Sequence, residues 1–223
     1  MTTLDDARTL ARSMVDVGGT LGMEVTAQIT SMDHPIGRLL GNAHEVAESV
    51  ACLKGEGPED TMELVRMQGA ALGADVDAVI ADGSALDAFA QMCRRQGVDE
   101  ATVTSLIADP WSVLPRGRSR TTIVAPTSGW ISDIDALALG RALVQIGAGR
   151  THPDDVLDLG AGIELLATVG AQVEAGTPLA HIDHNMTQGL PDLAGAFVIG
   201  PEAVTAPGSR LLEEVRPEDP VNR

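Results

Sequence analysis

Aromatic side chains are almost missing from this chain, which has two Phe, two Trp and no Tyr in 223 residues. Any core must therefore be built from Leu, Val, Ala, Ile and Met, and a hydrophobic content of 44% suffices for one or two such domains. Cysteine is nearly missing too. Cys52 and Cys93 stand alone in apolar helical contexts, without metal-ligand spacing, where a thiol behaves as a small hydrophobe. Cations are scarce: 15 Lys and Arg face 32 Asp and Glu, for a formal charge of −17. Such a surface repels phosphate backbones and anionic membranes, so the expectation is no nucleic-acid and no membrane partner. Solubility is the plain reading of that charge, and an anionic substrate would need a local cationic pocket. The first residues, MTTLDDARTLAR, carry early acids and no apolar run, which does not fit a secretory signal. No stretch reaches the length of a membrane span. A cytoplasmic, reduced protein is expected.

Periodicity supplies the elements. Leu4, Ala7, Leu10, Ala11, Met14 and Val15 recur at helical spacing, with Gly18 and Gly19 as the expected stop. Met23, Val25, Ala27 and Ile29 alternate with polar residues as in a strand. Asn42 with Glu45 resembles a capping box that opens a helix through Leu53, and Pro58 suits the first turn of the next helix, to about Leu72. Another helix spans Ser84 to Gln96. Pro115 to Arg120 reads as a linker. Beyond it, Thr121–Val124, Trp130–Ile134, Ile163–Leu166 and Leu179–Ile182 read as short strands, with a helix at Ala136–Ile146. From Met186 onward, seven Pro or Gly residues before Pro217 suggest a mostly irregular tail.

The first 110 residues thus hold about four helices but one strand. A lone strand cannot satisfy its own ladder hydrogen bonds. Either another chain supplies its sheet or this part is a helical bundle, and the first reading is preferred.

Seven strings resemble the thymidine and pyrimidine nucleoside phosphorylase family, in family order. They are ARTLARSMVDVG from Ala7, TSMDHPIGRLLGNAHEV from Thr30, KGEGPED from Lys54, RQGVD from Arg95, SGWISDID from Ser128, IGAGR from Ile146 and LGAGIELLATVGAQVEAGTPLAHI from Leu159. Each string is weak alone, but seven in register are specific. Family members are about twice this length, so the resemblance implies a C-terminal half. It implies a phosphorylase-like α/β part at residues 1–115 and an α+β C-terminal module with an irregular tail at 116–223. The Lys-His-Ser-Thr-Gly-Gly type phosphate loop and the groups that hold the pyrimidine base belong to the other half. Phosphorolysis sets phosphate against the anomeric carbon while the base leaves as an anion, and both charges need preorganised cations and donors. The dispersed Arg residues here and the lack of a Gly-rich loop opening a helix do not provide them.

The site that the resemblance carries over is a cation site. Some family members bind potassium through two backbone carbonyls and one glutamate, which correspond here to Ile36, Leu39 and Glu48. Oxygen ligands with one charge suit a hard monovalent ion; alternatively, Glu48 is a solvated helix residue. His34 stands where the family often has Gln, and His44 where it usually has Leu; both are candidates for proton work, with a surface role as the alternative. Asp33 and Asp99 are read as helix caps, and Asp133 and Asp135 as parts of a strand-to-helix turn. His181 and His184 flank Asp183 in a pattern that hints at a metal, although capture of one is not expected. VGAQVEAGTPLAHI has the rhythm of a biotinyl or lipoyl hairpin, but such carriers need a Lys at the tip and none follows Lys54.

Together these readings give a mainly helical α/β fragment, its sheet completed by a partner or by self-association, followed by a small α+β module. The leading functional expectation is a subunit of a split pentosyltransferase. A separately encoded N-terminal half would bring the phosphate and base sites, with phosphate as co-substrate and a nucleoside or base as ligand. The alternative is a repurposed, self-associating fragment acting on another small molecule, with His44 among its departures from the family. A decayed, inactive sequence is the third reading.

Overall fold

A computed structural model of the chain describes residues 3–217. Helix α1 (Leu4–Thr20) starts at Thr3, whose hydroxyl accepts from the amide of Asp6, with Asp5 and Asp6 favourably placed against the positive helix end. It does not stop at Gly18 and Gly19, as the sequence suggested. Gly18 is a packing position, since a Cβ there would collide with the side chain of Val25. The stop is Gly22, at φ 75°, in a Schellman closure: Met23 N–H donates to Gly18 O and Gly22 N–H to Gly19 O.

Strand β1 (Ala27–Thr30) is shorter than expected, and its partner is in the same chain. It pairs antiparallel with the strand Leu211–Val215, in the tail expected to be irregular. Ala11, Val15, Ile29 and Val215 close a small core beneath α1. The sequence hid this pairing because the two segments are far apart and Leu-Leu-Glu-Glu-Val lacks clean alternation.

The short β2 (Leu39–Leu40) leads into α2 (Asn42–Leu53). The expected capping box is shifted by one residue. Gly41 is the cap, at φ 116°, and its amide donates to Glu45, while Asn42 donates its side-chain amide to Ala148 O. Then come α3 (Glu59–Ala71), α4 (Val76–Ala81), α5 (Ser84–Arg95) and α6 (Glu100–Ala108). Periodicity missed α4 and α6, which are only 6 and 9 residues long. Asp99 caps α6 as expected, whereas Asp33 caps no helix and accepts from the Ser31 hydroxyl in a turn. Cys52 and Cys93 are free and half-buried.

The remaining elements are β3 (Ser119–Val124), β4 (Gly129–Ile134), α7 (Ala136–Gln145), β5 (Gly162–Leu165), β6 (Gln172–Val173), β7 (Pro178–His184), β8 (Phe197–Gly200) and β9 (Leu211–Val215). Asp135 caps α7. The sheets run β2-β5-β7-β3 and β6-β4-β8, and every strand pair among the described residues is antiparallel. The chain therefore has α+β character throughout, in place of the α/β class expected for its first part. The main core lies in the module, built on Ile131, Leu139, Ile163, Leu179 and Ile182. β7 lies between β5 and β3, and five of its seven residues are buried, so both of its faces are covered.

Candidate functional site

The loop before α2 is held from three sides. Glu48 reaches back from the helix, and its Oε1 accepts from the amides of Arg38 at 2.7 Å and Leu39 at 3.0 Å. Asp60, in the first turn of α3, accepts from the Gly37 amide at 3.2 Å. Arg210, just before β9, donates to His34 O at 3.0 Å, Pro35 O at 2.6 Å and Asp60 at 3.0 Å. Only 6% of Arg210 is exposed, so this guanidinium is fixed by a fork of acceptors. Gly37 has φ 74°, and a Cβ there would collide with Glu48 and press on the Thr61 hydroxyl.

Glu48 and Thr61 therefore converge on one glycine. Burial pushes the Glu48 carboxyl above its ordinary range, Asp60 adds to this, and the two amides oppose it. The Thr61 hydroxyl is buried, with no hydrogen-bond partner among the described residues. A half-buried carboxyl beside an unsatisfied hydroxyl oxygen is an environment that suits a hard cation. A cleft of about 350 Å³ opens below the loop, with His34, Arg38, Asp60 and Arg210 on one wall and Ile134 and Val169 on another.

His34 Nδ1 lies 2.9 Å from Asp133 Oδ1, without hydrogen-bond alignment. Asp133 was thus only partly legible as a turn residue: it lies in β4 and faces the loop. His44 has a different setting. It is fully buried in α2, with Nε2 3.0 Å from Asp183 Oδ2 and its ring edge-on to Trp111 at 5.0 Å. Asp183 also accepts two 2.7 Å bonds from Arg120, and Arg116 lies 3.6 Å away while stacking on Trp111. Burial lowers the His44 pKa, and the Asp183 bond opposes this only in part. Burial would raise Asp183, but the bonds from Arg120 and His44 outweigh it and hold the carboxyl below its ordinary range.

His181 and His184 turn to Thr122 and Thr121 across the β3–β7 ladder, so the His-Asp-His string is spent on strand pairing. Among the described residues no group of three or more His, Cys, Asp or Glu is placed to hold a metal. Sequence reasoning missed Arg120, Arg116, Trp111 and Arg210. For Arg210 and Arg120 the only trace was charge inside a strand or next to one, where an unpaired guanidinium would be costly.

Residues 130–197 match the C-terminal domain of pyrimidine nucleoside phosphorylase. This stretch belongs to that family. The phosphorylase-like likeness extends well beyond it, to human thymidine phosphorylase at 37% identity over 227 residues, covering 94% of this chain and 44% of the human protein. Bacillus subtilis pyrimidine-nucleoside phosphorylase is 37% identical over 198 residues, covering 83% of this chain and 45% of its own length. Mycobacterium tuberculosis thymidine phosphorylase is 38% identical over 180 residues, covering 78% and 40%. The chain spans about half the length of these curated relatives and corresponds to their C-terminal portion. The loop, Glu48, His44 and Asp183 all lie inside the stretch covered by the match to the human protein, and Asp183 lies within residues 130–197 as well. No helix among the described residues is long and apolar enough to cross a membrane.

Proposed function

We propose that this chain is the C-terminal subunit of a pyrimidine nucleoside phosphorylase-like pentosyltransferase whose phosphate and base sites reside on a separate N-terminal portion. The carrying observation is the likeness itself, which runs over 94% of this chain yet under half of the human thymidine phosphorylase. Two of its least exposed cations agree with a supporting role. Arg120 is engaged by Asp183 and Glu164, and Arg210 by loop carbonyls and Asp60, so neither is available to a phosphate. What the chain offers is a held loop: Glu48, with the carbonyls of Ile36 and Leu39, is the proposed seat of a potassium ion. The adjoining Thr61 hydroxyl is a further oxygen within the same cluster. A bound cation would neutralise Glu48 and stiffen the loop against the partner, while phosphorolysis itself runs on groups of the partner.

The test is reconstitution. The purified chain alone should release no thymine from thymidine with phosphate, whereas the chain co-expressed with an N-terminal phosphorylase portion should release it. Release by the chain alone would overturn the division of labour. A self-sufficient, repurposed protein is favoured by one observation, the pairing of β1 with the chain's own β9. In that case the chain alone would be a defined homo-oligomer, indifferent to the other portion.

A further inference from the structure

Helix α1 carries two apolar faces, and among the described residues the chain covers only one of them. Ala11, Val15 and Gly18 are buried against β1 and β9. Leu10, Met14, Val17 and Leu21 are 48%, 58%, 57% and 69% exposed. Their spacing of four, three and four residues places them in one stripe along the helix, and Met23, also exposed, extends it past the Schellman turn. A stripe of four large apolar residues at seam spacing is a surface built for a partner, unlike singly scattered exposed residues.

Resting on the proposed function, we infer that this stripe is the docking surface for the N-terminal portion of a phosphorylase. Two observations select that occupant. The human thymidine phosphorylase matches 94% of this chain through its C-terminal portion, so in that protein the unmatched N-terminal portion precedes the counterpart of the N-terminal region of this chain, where α1 lies. That portion is the polypeptide next in order to this helix. A second copy of this chain is disfavoured by charge, because each copy brings −17 and α1 adds Asp5, Asp6 and Asp16 around the stripe. The partner surface is accordingly apolar at its centre.

The experiment co-expresses the chain with the N-terminal portion of the Bacillus subtilis pyrimidine-nucleoside phosphorylase and measures how much of it is recovered on the tagged chain. The double variant Met14→Glu with Val17→Glu places two charges in the stripe at exposed positions, so its own circular dichroism and thermal midpoint should match the parent. Recovery of the partner is expected to fall at least tenfold. The control Val156→Glu, at a 94% exposed position outside α1, should keep full recovery. Equal recovery by the double variant would overturn the docking surface while leaving the proposed function standing. No recovery on any chain, parent included, would overturn both. A homodimer of the chain alone that the double variant disperses would give the stripe to a second copy and overturn the assignment.

Discussion

At the scale of single residues, His44 is the most constrained polar group in the chain. It is buried beside Trp111 and Asp183, and Gly162 exists to admit it, since a Cβ there would collide with the ring. Its pKa is lowered from the ordinary 6.5, with burial the dominant cause. In the window between the lowered value and 6.5 the unfolded chain binds a proton that the folded chain refuses, so stability rises with pH there and is lost as pH falls below about 6.5. The groups facing the ring are Asp183, Arg116 and Arg120, and the two cations add to the cost of a charged imidazole. His44→Leu should therefore flatten the difference in unfolding free energy between pH 7.5 and 5.5 by about 1 kcal/mol, as measured by urea titration. An unchanged slope would mean that other titrating groups set the acid response. Asp183 keeps its two bonds from Arg120, so the pair is replaceable at modest cost. Glu48 works in the opposite sense. Its raised pKa makes the carboxylate unfavourable as pH climbs through the window above 4.5, which a bound cation would relieve. The midpoint of the parent in potassium chloride should then exceed that in tetramethylammonium chloride, and Glu48→Gln should erase the difference.

At the scale of elements, the tail does what the sequence did not reveal. β9 completes the ribbon with β1, and Arg210 beside it ties the loop at residues 34–37 to α3. One strand and one side chain thus set the loop that carries the candidate cation site. Arg210→Ala removes a buried cation from two carbonyls and a carboxylate, which should cost about 3 kcal/mol. Amide exchange should speed up at residues 27–30 and 211–215 together, while the β5–β7 ladder of the module keeps its protection. Arg210→Lys should recover only part of this, because a point charge cannot span three acceptors as a fork does. The elements that were legible were those with local signals: the periodicity of α1, α2 and α5, the Asp cap at Asp99, the strand-to-helix turn at Asp135, and the apolar runs of β4, β5 and β7. Those that were not legible depend on distant pairing. β2 is two residues long, β6 likewise, and β9 has a partner more than 180 positions away, which no window of sequence can register. Likewise the site residues His34, Ile36, Leu39 and Glu48 came from the resemblance to the family, whereas Arg210 and Arg120 became visible only once strands were placed side by side.

At the scale of the whole molecule, two cores are joined by few but buried links. The module core is large, while the helices α3 to α6 contribute little more than Met62, Ala90, Val103 and Leu106 to any buried set. Among the connections between these regions are β2 on β5, His44 with Asp183, and the strap from Arg210 through β9 to β1. Two of them are strand pairings that cross from residues before 115 to residues after 116, so the module's sheet is finished by a strand from the helical region. A shortened chain of residues 116–217 would leave the β5 edge unpaired, uncover Asp183 on the side that His44 seals, and deprive β9 of its partner. Its amides in β5 and β7 should exchange at least tenfold faster than in the full chain, with β3 least affected because it lies at the far side of β7 from β5. If the shortened chain instead keeps full protection in β5, the α2 lock adds nothing to the module. The buried His44–Asp183 pair would then serve to orient α2, and with it Glu48, relative to a module that folds without it.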